Sequence, residues 1–206
     1  QPVGDCLAGL DDDGLPGIYE ALKQAALTMQ MGGGVGYNFS AIRPKGALVA
    51  SVDSIASGPI SFIDTFDASC ATLISAGGRR GAQMGVLNIS HPDIWEFIRA
   101  KHQANRWTNF NVSVAVTQEF MDALKNKKPF HLVHKAKPKF SEGHFQNEKL
   151  EWIYETVDPA KLWDEIIRST YQYSEPGVLF LDNINSRNNL RYCEVIVATN
   201  PCGEQP

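Results

Sequence analysis

The chain has 206 residues, a net charge of −4, and 43% hydrophobic and 20% charged residues. These values are typical of one soluble globular domain or part of a larger one, with enough apolar residues to form a core. A nucleic-acid backbone is not an expected partner, since binding to it needs clustered Lys and Arg. A membrane is not expected either, because no apolar run approaches the roughly 20 residues that cross a bilayer.

Hydrophobic periodicity predicts strands that alternate with helices. A helix with Pro16 in its first turn and apolar residues from Ile18 to Met29 is expected to end at glycines 32–34. Another helix follows Ser90, a candidate N-cap. Further helices are predicted over 60–74, 118–124 and 159–173. Strands are predicted over 35–39, 84–89, 110–116, 130–133, 178–181 and 193–197, with a loop over 43–59 and a polar surface insertion over 135–147. This alternation predicts a mixed α/β fold with parallel pairing.

Both ends of the chain look like cuts within a longer protein, so we expect residues 1–206 to form part of one domain. The chain starts with Gln1 rather than Met and shows neither the charged nor the apolar region of a signal peptide. The cysteines at 6, 70, 193 and 202 have no CxxC spacing. In a chain without a secretion signal we expect them to be thiols and the protein to be cytoplasmic.

The glycine run at 32–36 superficially resembles a phosphate-binding loop. In such a loop the glycines follow a strand and begin a helix, whose N-terminus faces the anion. Here the glycines end a predicted helix and lead into a strand. Helix termination and close backbone packing are therefore the preferred interpretation.

Two basic loops each allow two interpretations. The segment AGGRRGAQ at 76–83 carries two guanidinium groups and an amide that suit phosphates and a base edge. A solvated helix C-terminus with dipole-complementing arginines explains it equally well. The segment RPKG at 43–46 is likewise either a basic turn or an anion site. His131 and His134 are interpreted as structural and no metal site is predicted, because residues three apart on a strand point to opposite faces.

The segment NPCGE at 200–204 carries the strongest chemical signal. It follows an apolar stretch, and Pro201 and Gly203 impose an irregular loop around the Cys202 thiol. The Glu204 carboxylate disfavours a thiolate nearby, which argues against a simple nucleophile. The two groups suit a thiol that gives up a hydrogen atom while the carboxylate handles protons. The alternative is a buried cysteine in a tight turn.

With this segment the chain resembles the catalytic subunits of ribonucleotide reductases, in the form common to adenosylcobalamin-dependent (class II) enzymes. The resemblance covers essentially the whole chain. The motifs that carry it, in the family's order, are GGGVG at 32–36, IRPKG at 42–46, GRRGAQM at 78–84, HPDI at 91–94, NFN at 109–111 and NPCGEQP at 200–206. It implies the first half of a ten-stranded α/β barrel made of two parallel half-sheets, with the active-site finger loop at the C-terminal end.

The resemblance implies a role for each residue of the active site. Cys202 matches the thiyl-radical residue that abstracts the 3′-hydrogen of the ribose. Glu204 matches the general base for the 3′-hydroxyl, and Asn200 matches a hydrogen-bond partner of the ribose. Cys6 matches one of two thiols that reduce the 2′ position and end as a disulfide, which a reducing cytosol permits. The cysteines at 70 and 193 match no catalytic position, and we expect them in the core or at the surface.

The resemblance also assigns the basic loops to regulation. Segments 43–59 and 76–84 resemble two specificity loops through which a bound deoxynucleotide selects the substrate. The implied effector-binding residues are Asp13, Arg43, Arg80 and Gln83. Gly14 departs from the family pattern, since a hydroxyl residue often stands there and supplies a further hydrogen bond.

The expected activity is reduction of ribonucleoside di- or triphosphates to 2′-deoxyribonucleotides. Adenosylcobalamin is the implied cofactor, a thioredoxin-like protein the implied reductant, and deoxynucleotides or ATP the implied effectors, in a protein that can form a homodimer. One alternative is a class I large subunit, which receives its radical from a second protein. Another is a nucleotide-binding piece without catalysis. We expect residues 1–206 alone to be inactive, because half a barrel leaves exposed strand edges.

Overall fold

The computed structural model describes residues 14–73 and 81–206. The first elements are α1 (Leu15–Gln30), β1 (Val35–Asn38), β2 (Leu48–Val49), β3 (Ser54–Ile55), α2 (Pro59–Thr72), β4 (Gln83–Asn88) and α3 (Ile94–Arg99). They are followed by β5 (Phe110–Ala115), α4 (Gln118–Asn126), β6 (Phe130–His134), β7 (Trp152–Val157), α5 (Pro159–Tyr173), β8 (Gly177–Leu179) and α6 (Leu181–Arg187). No helix in these ranges is both long enough and apolar enough to cross a membrane.

Four parallel strands form the central sheet in the order β1, β4, β5, β8. Val35 pairs with Gln83, Gln83 pairs with Phe110, and Ser113 pairs with Gly177. Every connection between neighbouring strands contains a helix, as parallel pairing requires. The predicted mixed α/β fold with parallel pairing is therefore confirmed, and the arrangement is consistent with part of an α/β barrel.

Helices cover one face of this sheet and bury the main hydrophobic core. Alternate residues of β1, β4 and β5 join residues of α1, α2, α3 and α5 in this core. At its centre the rings of Tyr37, Phe39, Phe66 and Phe110 contact one another, with centroids 5.0 to 6.1 Å apart. Aromatic pairs at such distances add to the stabilisation that burial provides.

A single extended segment, residues 194–200, crosses the other face of the sheet, and we call it the strap. Ala198 of the strap packs against Met84, Val86 and Ala115 from the sheet. The predicted strand over 193–197 is wrong, because no strand among the described residues pairs with the strap. This second face is therefore built by packing a loop onto the sheet rather than by adding a strand.

Side-chain amides supply the hydrogen bonds that a neighbouring strand would otherwise give the strap. Asn185 Nδ2 donates to Ile196 O at 2.8 Å, and Asn185 Oδ1 accepts from Ile196 N at 2.8 Å. Asn38 Nδ2 donates to Val197 O, also at 2.8 Å. Buried backbone groups need partners, and amides satisfy them here without a ladder.

Glycines at the start of β1 allow the strap to lie directly on the sheet. A Cβ atom built at Gly36 lies 1.9 Å from Thr199 O, and one built at Gly34 lies 2.5 Å from Pro201 Cγ. Any side chain at these positions would collide with the strap. Gly32, with φ of +90°, ends α1. The interpretation of the glycine run as helix termination with close backbone packing is therefore confirmed.

Ser90 is not the N-cap of α3, so that prediction is wrong. His91 N donates to Asn88 O at 2.9 Å in a turn, and the helix begins only at Ile94. Asp93 stands at the N-cap position, but its carboxylate bonds outside the helix and makes no cap hydrogen bond.

Four further elements, β2, β3, β7 and α6, were not predicted from the sequence. β6 and β7 form an antiparallel pair with an irregularity between Leu132 and Val133, and the predicted polar insertion over 135–147 lies between them. β2 and β3 form a short hairpin within the predicted loop over 43–59. α6 follows β8 directly and carries Asn185, which holds the strap.

His91 and Asp93 join the HPDI segment to the IRPKG segment. His91 Nε2 lies 3.0 Å from Ile42 O, and Nδ1 accepts from Asp93 N at 3.1 Å, which places the ring proton on Nε2. Asp93 Oδ2 accepts from Lys45 N at 2.9 Å. Burial lowers the pKa of His91 to about 3. Burial raises the pKa of Asp93 to about 6, against the effect of the hydrogen bond from Lys45.

These two pKa shifts give the folded state opposite responses to acid. The unfolded chain protonates His91 below its ordinary pKa of 6.5, so the stability that the neutral ring contributes is lost as the pH falls from 6.5 towards 3. Asp93 binds its proton more tightly in the folded protein. Its contribution is therefore present below the ordinary pKa of 3.8 and is lost as the pH rises through about 6.

We expect His91→Gln and Asp93→Asn to change the pH dependence of Tm in opposite directions. Between about pH 6.5 and about pH 4.5, His91→Gln should lose less stability on acidification than the unmodified protein, and Asp93→Asn should lose more. Calorimetric unfolding of the three proteins across this range measures the effect. Identical pH slopes for all three would contradict the assignment.

We expect Gly36→Ala to lower Tm more than Gly85→Ala on the neighbouring strand. A Cβ at Gly36 meets a strap backbone oxygen at 1.9 Å, whereas one at Gly85 meets the edge of the Phe110 ring at 3.3 Å. Overpacking typically costs about 1–3 kcal/mol, and backbone yields less readily than a ring. Thermal unfolding of both variants measures the difference, and an equal or smaller loss for Gly36→Ala would count against the strap packing.

Candidate active site

The NPCGE segment folds into a tight turn where the strap ends. Gly203 N donates to Asn200 O at 3.0 Å. Gly203 has φ of +82°, in the left-handed region that glycine enters without steric cost. Pro201 is buried against the sheet, whereas the Cys202 side chain is exposed. The turn therefore presents the thiol on its outer side, unlike the buried cysteine that the sequence left as an alternative.

Asn200 connects the two ends of this turn. Its Nδ2 donates to Glu204 Oε1 at 2.7 Å, and its Oδ1 accepts from Gln205 N at 3.1 Å. Its backbone N donates to Gln205 O at 2.9 Å. The structure thus brings three of the sequence-predicted catalytic residues, Asn200, Cys202 and Glu204, onto one short turn.

Asn111 of the sheet and Thr199 of the strap form hydrogen bonds with the backbone of the turn. Asn111 Nδ2 donates to Pro201 O at 2.7 Å. Thr199 is buried, and its hydroxyl donates to Asn200 O at 3.1 Å. We noted Asn111 in the sequence only as part of the NFN motif. A polar amide at the start of an apolar strand is the signal that would have singled it out.

The turn presents three functional groups of different chemistry. The Cys202 thiol is not part of a disulfide and can give up a hydrogen atom. The exposed Glu204 carboxylate can take or return a proton. The Asn200 amide orients that carboxylate through the 2.7 Å hydrogen bond. Together these groups suit a reaction that couples hydrogen-atom transfer to proton transfer on a polar substrate.

The other cysteines lie in different surroundings. Cys70 is buried, with its Sγ 3.5 Å from Met29 Sδ. Burial, with a smaller contribution from Asp67, raises the pKa of the Cys70 thiol to about 11, so this thiol is inert in the core. Cys193 is exposed, and its Sγ donates to Leu190 O at 3.4 Å. The expectation of core or surface positions for these two is confirmed, whereas Cys6 lies outside the described residues.

Arg43 lines a cleft of about 720 Å³ at the carboxyl ends of β1 and β4. Its Nη1 donates to Leu48 O at 3.1 Å. The residues around it include the cation Lys135, the carboxylate Glu151 and the hydroxyl of Ser40. Ligands of parallel sheets bind at the carboxyl ends of the strands, and an arginine there suits a phosphate or carboxylate group.

Gln83 lies at the other end of β4, so the structure does not bring it together with Arg43. Its side chain is 1% exposed. Its Oε1 accepts from the Tyr37 hydroxyl at 2.9 Å, and its Nε2 donates to Phe66 O at 3.4 Å. The amide is thus used within the core. The resemblance implies two other effector-binding residues, Asp13 and Arg80, and both lie outside the described residues.

The two histidines of β6 have partners within the protein. His131 Nδ1 lies 2.9 Å from Thr156 Oγ1, and His134 Nδ1 accepts from Ala136 N at 2.9 Å. The rings of His134 and His91 are in edge contact, with centroids 5.4 Å apart. Across residues 14–73 and 81–206, no group of three or more His, Cys, Asp or Glu side chains is arranged to hold a metal ion.

Comparison with known proteins identifies the family. The model of the ribonucleotide reductase barrel domain matches residues 5–206. A vitamin B12-dependent ribonucleoside-diphosphate reductase of Thermoplasma acidophilum is 41% identical over 206 residues, which cover 100% of this chain and 24% of that protein. A protein of the same name from Mycobacterium tuberculosis is 39% identical over 196 residues, covering 95% and 26%. A ribonucleoside-diphosphate reductase large subunit of Vaccinia virus is 24% identical over 212 residues, covering 96% and 28%.

The chain spans about a quarter of the length of the relatives to which it is most similar among these. The matched region includes the parallel sheet, the strap and the turn that carries Cys202. The chain belongs to the ribonucleotide reductase family, through a match to the model of that family's barrel domain.

Proposed function

We propose that this chain is the part of a larger reductase that carries the radical cysteine, and that the complete protein reduces ribonucleotides to 2′-deoxyribonucleotides. The observation that carries the proposal is the turn at the end of the strap, which places Asn200, Cys202 and Glu204 together. The names and identities of the relatives support it. In this proposal residues 1–206 form one part of the barrel domain, with the rest of the barrel supplied by the longer protein.

Cys202, Glu204 and Asn200 have different roles in the proposed reaction. As a thiyl radical, Cys202 abstracts the 3′-hydrogen of the ribose and later returns a hydrogen atom to the same carbon. Glu204 takes the proton of the 3′-hydroxyl, and the 2′-hydroxyl leaves as water once it accepts a proton from one of the two reducing thiols described below. Asn200 hydrogen-bonds the ribose and orients Glu204, which the 2.7 Å bond between them supports.

Reduction at the 2′ position consumes two electrons, which two thiols supply as they form a disulfide. Cys6 is one of these thiols in the proposal, by its match to the family position, and the second thiol comes from elsewhere in the longer protein. A thioredoxin-like protein then returns the pair to the dithiol state by disulfide exchange. Such a temporary disulfide is compatible with the reducing cytoplasm, where we place the enzyme.

The cofactor in this proposal is adenosylcobalamin, because the most similar of the relatives described above are named vitamin B12-dependent. When bound, this cofactor supplies the first radical, and the protein positions and protects it. The residue of this chain that would face it is Cys202. The Cys202 thiol is exposed on the outer side of the turn, so a bound cofactor could reach it, whereas it could not reach a buried thiol.

Substrate choice by a bound deoxynucleotide or ATP is the proposed role of the basic loops. The Arg43 cleft, with Lys135 as a second cation, supports an anion-binding function for the first loop. Asp13 and Arg80 complete the effector site in this proposal. Gln83 contributes through the core rather than by direct contact, since its amide is engaged by Tyr37 and Phe66. A homodimer is the proposed assembly.

We expect Cys202→Ala in the full-length protein to abolish ribonucleotide reduction, because no other thiol of the turn can carry the radical. Deoxynucleotide binding should stay within about twofold of the unmodified protein, since the effector loops are untouched. The matched control is Cys193→Ala, which should leave turnover unchanged. Cys193 is also an exposed cysteine, and it lies immediately before the strap. Product formation and equilibrium binding measure the two effects. Residual turnover of Cys202→Ala would exclude the radical role, whereas deoxynucleotide binding without any turnover of the unmodified full-length protein would favour a nucleotide-binding function without catalysis.

The class of radical generator is tested by adding adenosylcobalamin to the full-length protein without any partner subunit. We expect turnover under these conditions, because identity is 39–41% to the vitamin B12-dependent relatives and only 24% to the Vaccinia virus large subunit. The control omits the cofactor and should give no product. Activity that appears only after a second protein is added would support the class I alternative.

A further inference from the structure

Asn111 is the exposed first polar residue of an otherwise buried strand. Phe110 and the residues from Val112 to Ala115 are buried in β5, whereas Asn111 is not. Strand alternation directs its side chain to the face of the sheet that carries the strap. There its Nδ2 donates to Pro201 O at 2.7 Å, which is the carbonyl immediately before Cys202.

A hydrogen bond to this carbonyl constrains the cysteine as well as the proline. The peptide bond is planar, so Pro201 O and Cys202 Cα belong to one rigid unit. On its other side the Pro201 ring lies in the space left by Gly34, where a Cβ would come within 2.5 Å of Pro201 Cγ. The peptide plane is therefore set by one polar contact and one steric contact, both from the sheet.

The backbone on each side of Asn111 is itself held by an ion pair. Lys101 Nζ donates to Phe110 O and to Glu175 Oε2. Glu175 Oε1 accepts from Val112 N at 2.9 Å. The Lys101 and Glu175 side chains are only 16% and 21% exposed, so solvent screens their attraction less than at the open surface. Together these contacts fix β5 on both sides of Asn111, just before the strand pairs with β8.

From these contacts we propose that Asn111 is a positioning residue for the radical cysteine. Its amide sets the plane of the Pro201–Cys202 peptide, and the Lys101–Glu175 ion pair holds Asn111 in place. The proposal rests on the proposed function, in which Cys202 reacts with the substrate. Reactions of this kind depend on placement, since a displacement of about 1 Å can cost roughly 100-fold in rate.

Asn111→Asp tests the proposal in the full-length enzyme. The aspartate keeps the shape of the side chain but removes the N–H donor and turns a carboxylate towards Pro201 O. We expect kcat to fall by about 10- to 100-fold while KM stays within about threefold, because the residues that bind substrate are unchanged. Asn105→Asp is the matched control, with the same charge change at an exposed turn residue whose φ of +63° suits Asp as well as Asn. It should leave both constants unchanged.

A second readout uses hydrogen–deuterium exchange of the protein without cofactor or substrate. We expect Asn111→Asp to raise exchange at Gly203 and Gln205 by about tenfold, because their N–H groups bond within the turn. Exchange over β4 should not change. Glu175→Gln, which keeps an acceptor for Val112 N but removes the charge beside Lys101, should raise exchange in the turn by a smaller factor.

Unchanged exchange in the turn together with kcat within about twofold of the unmodified enzyme would overturn the role of Asn111. An equal rise over β4 would also overturn it, since the sheet rather than the turn would then have been lost. No effect of Glu175→Gln on the turn would overturn the role of the ion pair. Hydrogen–deuterium exchange does not require turnover. It therefore tests whether Asn111 holds the turn in position even if Cys202→Ala shows that the proposed function is wrong.

Discussion

The strap pairs with no strand among the described residues. Its position on the sheet therefore depends on hydrogen bonds from side chains to its backbone. Asn185 and Asn38 supply these bonds from α6 and from the end of β1. Glycine at positions 34 and 36 removes the side chains that would keep the two backbones apart. Amide side chains and missing Cβ atoms together replace the ladder that normally attaches an extended segment to a sheet. The position of Cys202, two residues beyond the strap, depends on this attachment.

This arrangement leaves the reactive turn on the surface of a rigid support. The strap ends at Asn200, the next residue Pro201 is buried, and the chain then turns so that Cys202 faces outward. Gly203 permits the backbone reversal, and Asn200 closes the turn through Glu204 and Gln205. The thiol is therefore placed by the shape of the turn and by the hydrogen bonds of Asn200, one of which goes to the Glu204 carboxylate.

Most of the sheet and its helices could be predicted from the sequence, because their periodicity is local. The strap could not be predicted, because residues 193–197 have the apolar, β-branched composition of a strand. Of the two amides that bond its backbone, Asn38 is distant in sequence and Asn185 lies on a helix that was not predicted. β7 was missed because its residues are only partly buried and lack a clear alternation. The turn residues were predicted from their motif, whereas the support from Asn111 depends on a contact across the fold. The burial of Gln83 could not be predicted either, since its sequence context is a basic loop.

In the proposed function a radical resides on Cys202, in the turn that follows the strap and packs against the starts of β1 and β5. Electron paramagnetic resonance of the rapidly frozen full-length enzyme, mixed with adenosylcobalamin and substrate, tests it most directly. The protein is prepared with ordinary cysteine or with cysteine deuterated at Cβ. A thiyl radical on Cys202 couples to its two β-hydrogens, so the account predicts a narrower signal in the deuterated protein. A radical signal whose width is the same in both preparations would contradict it.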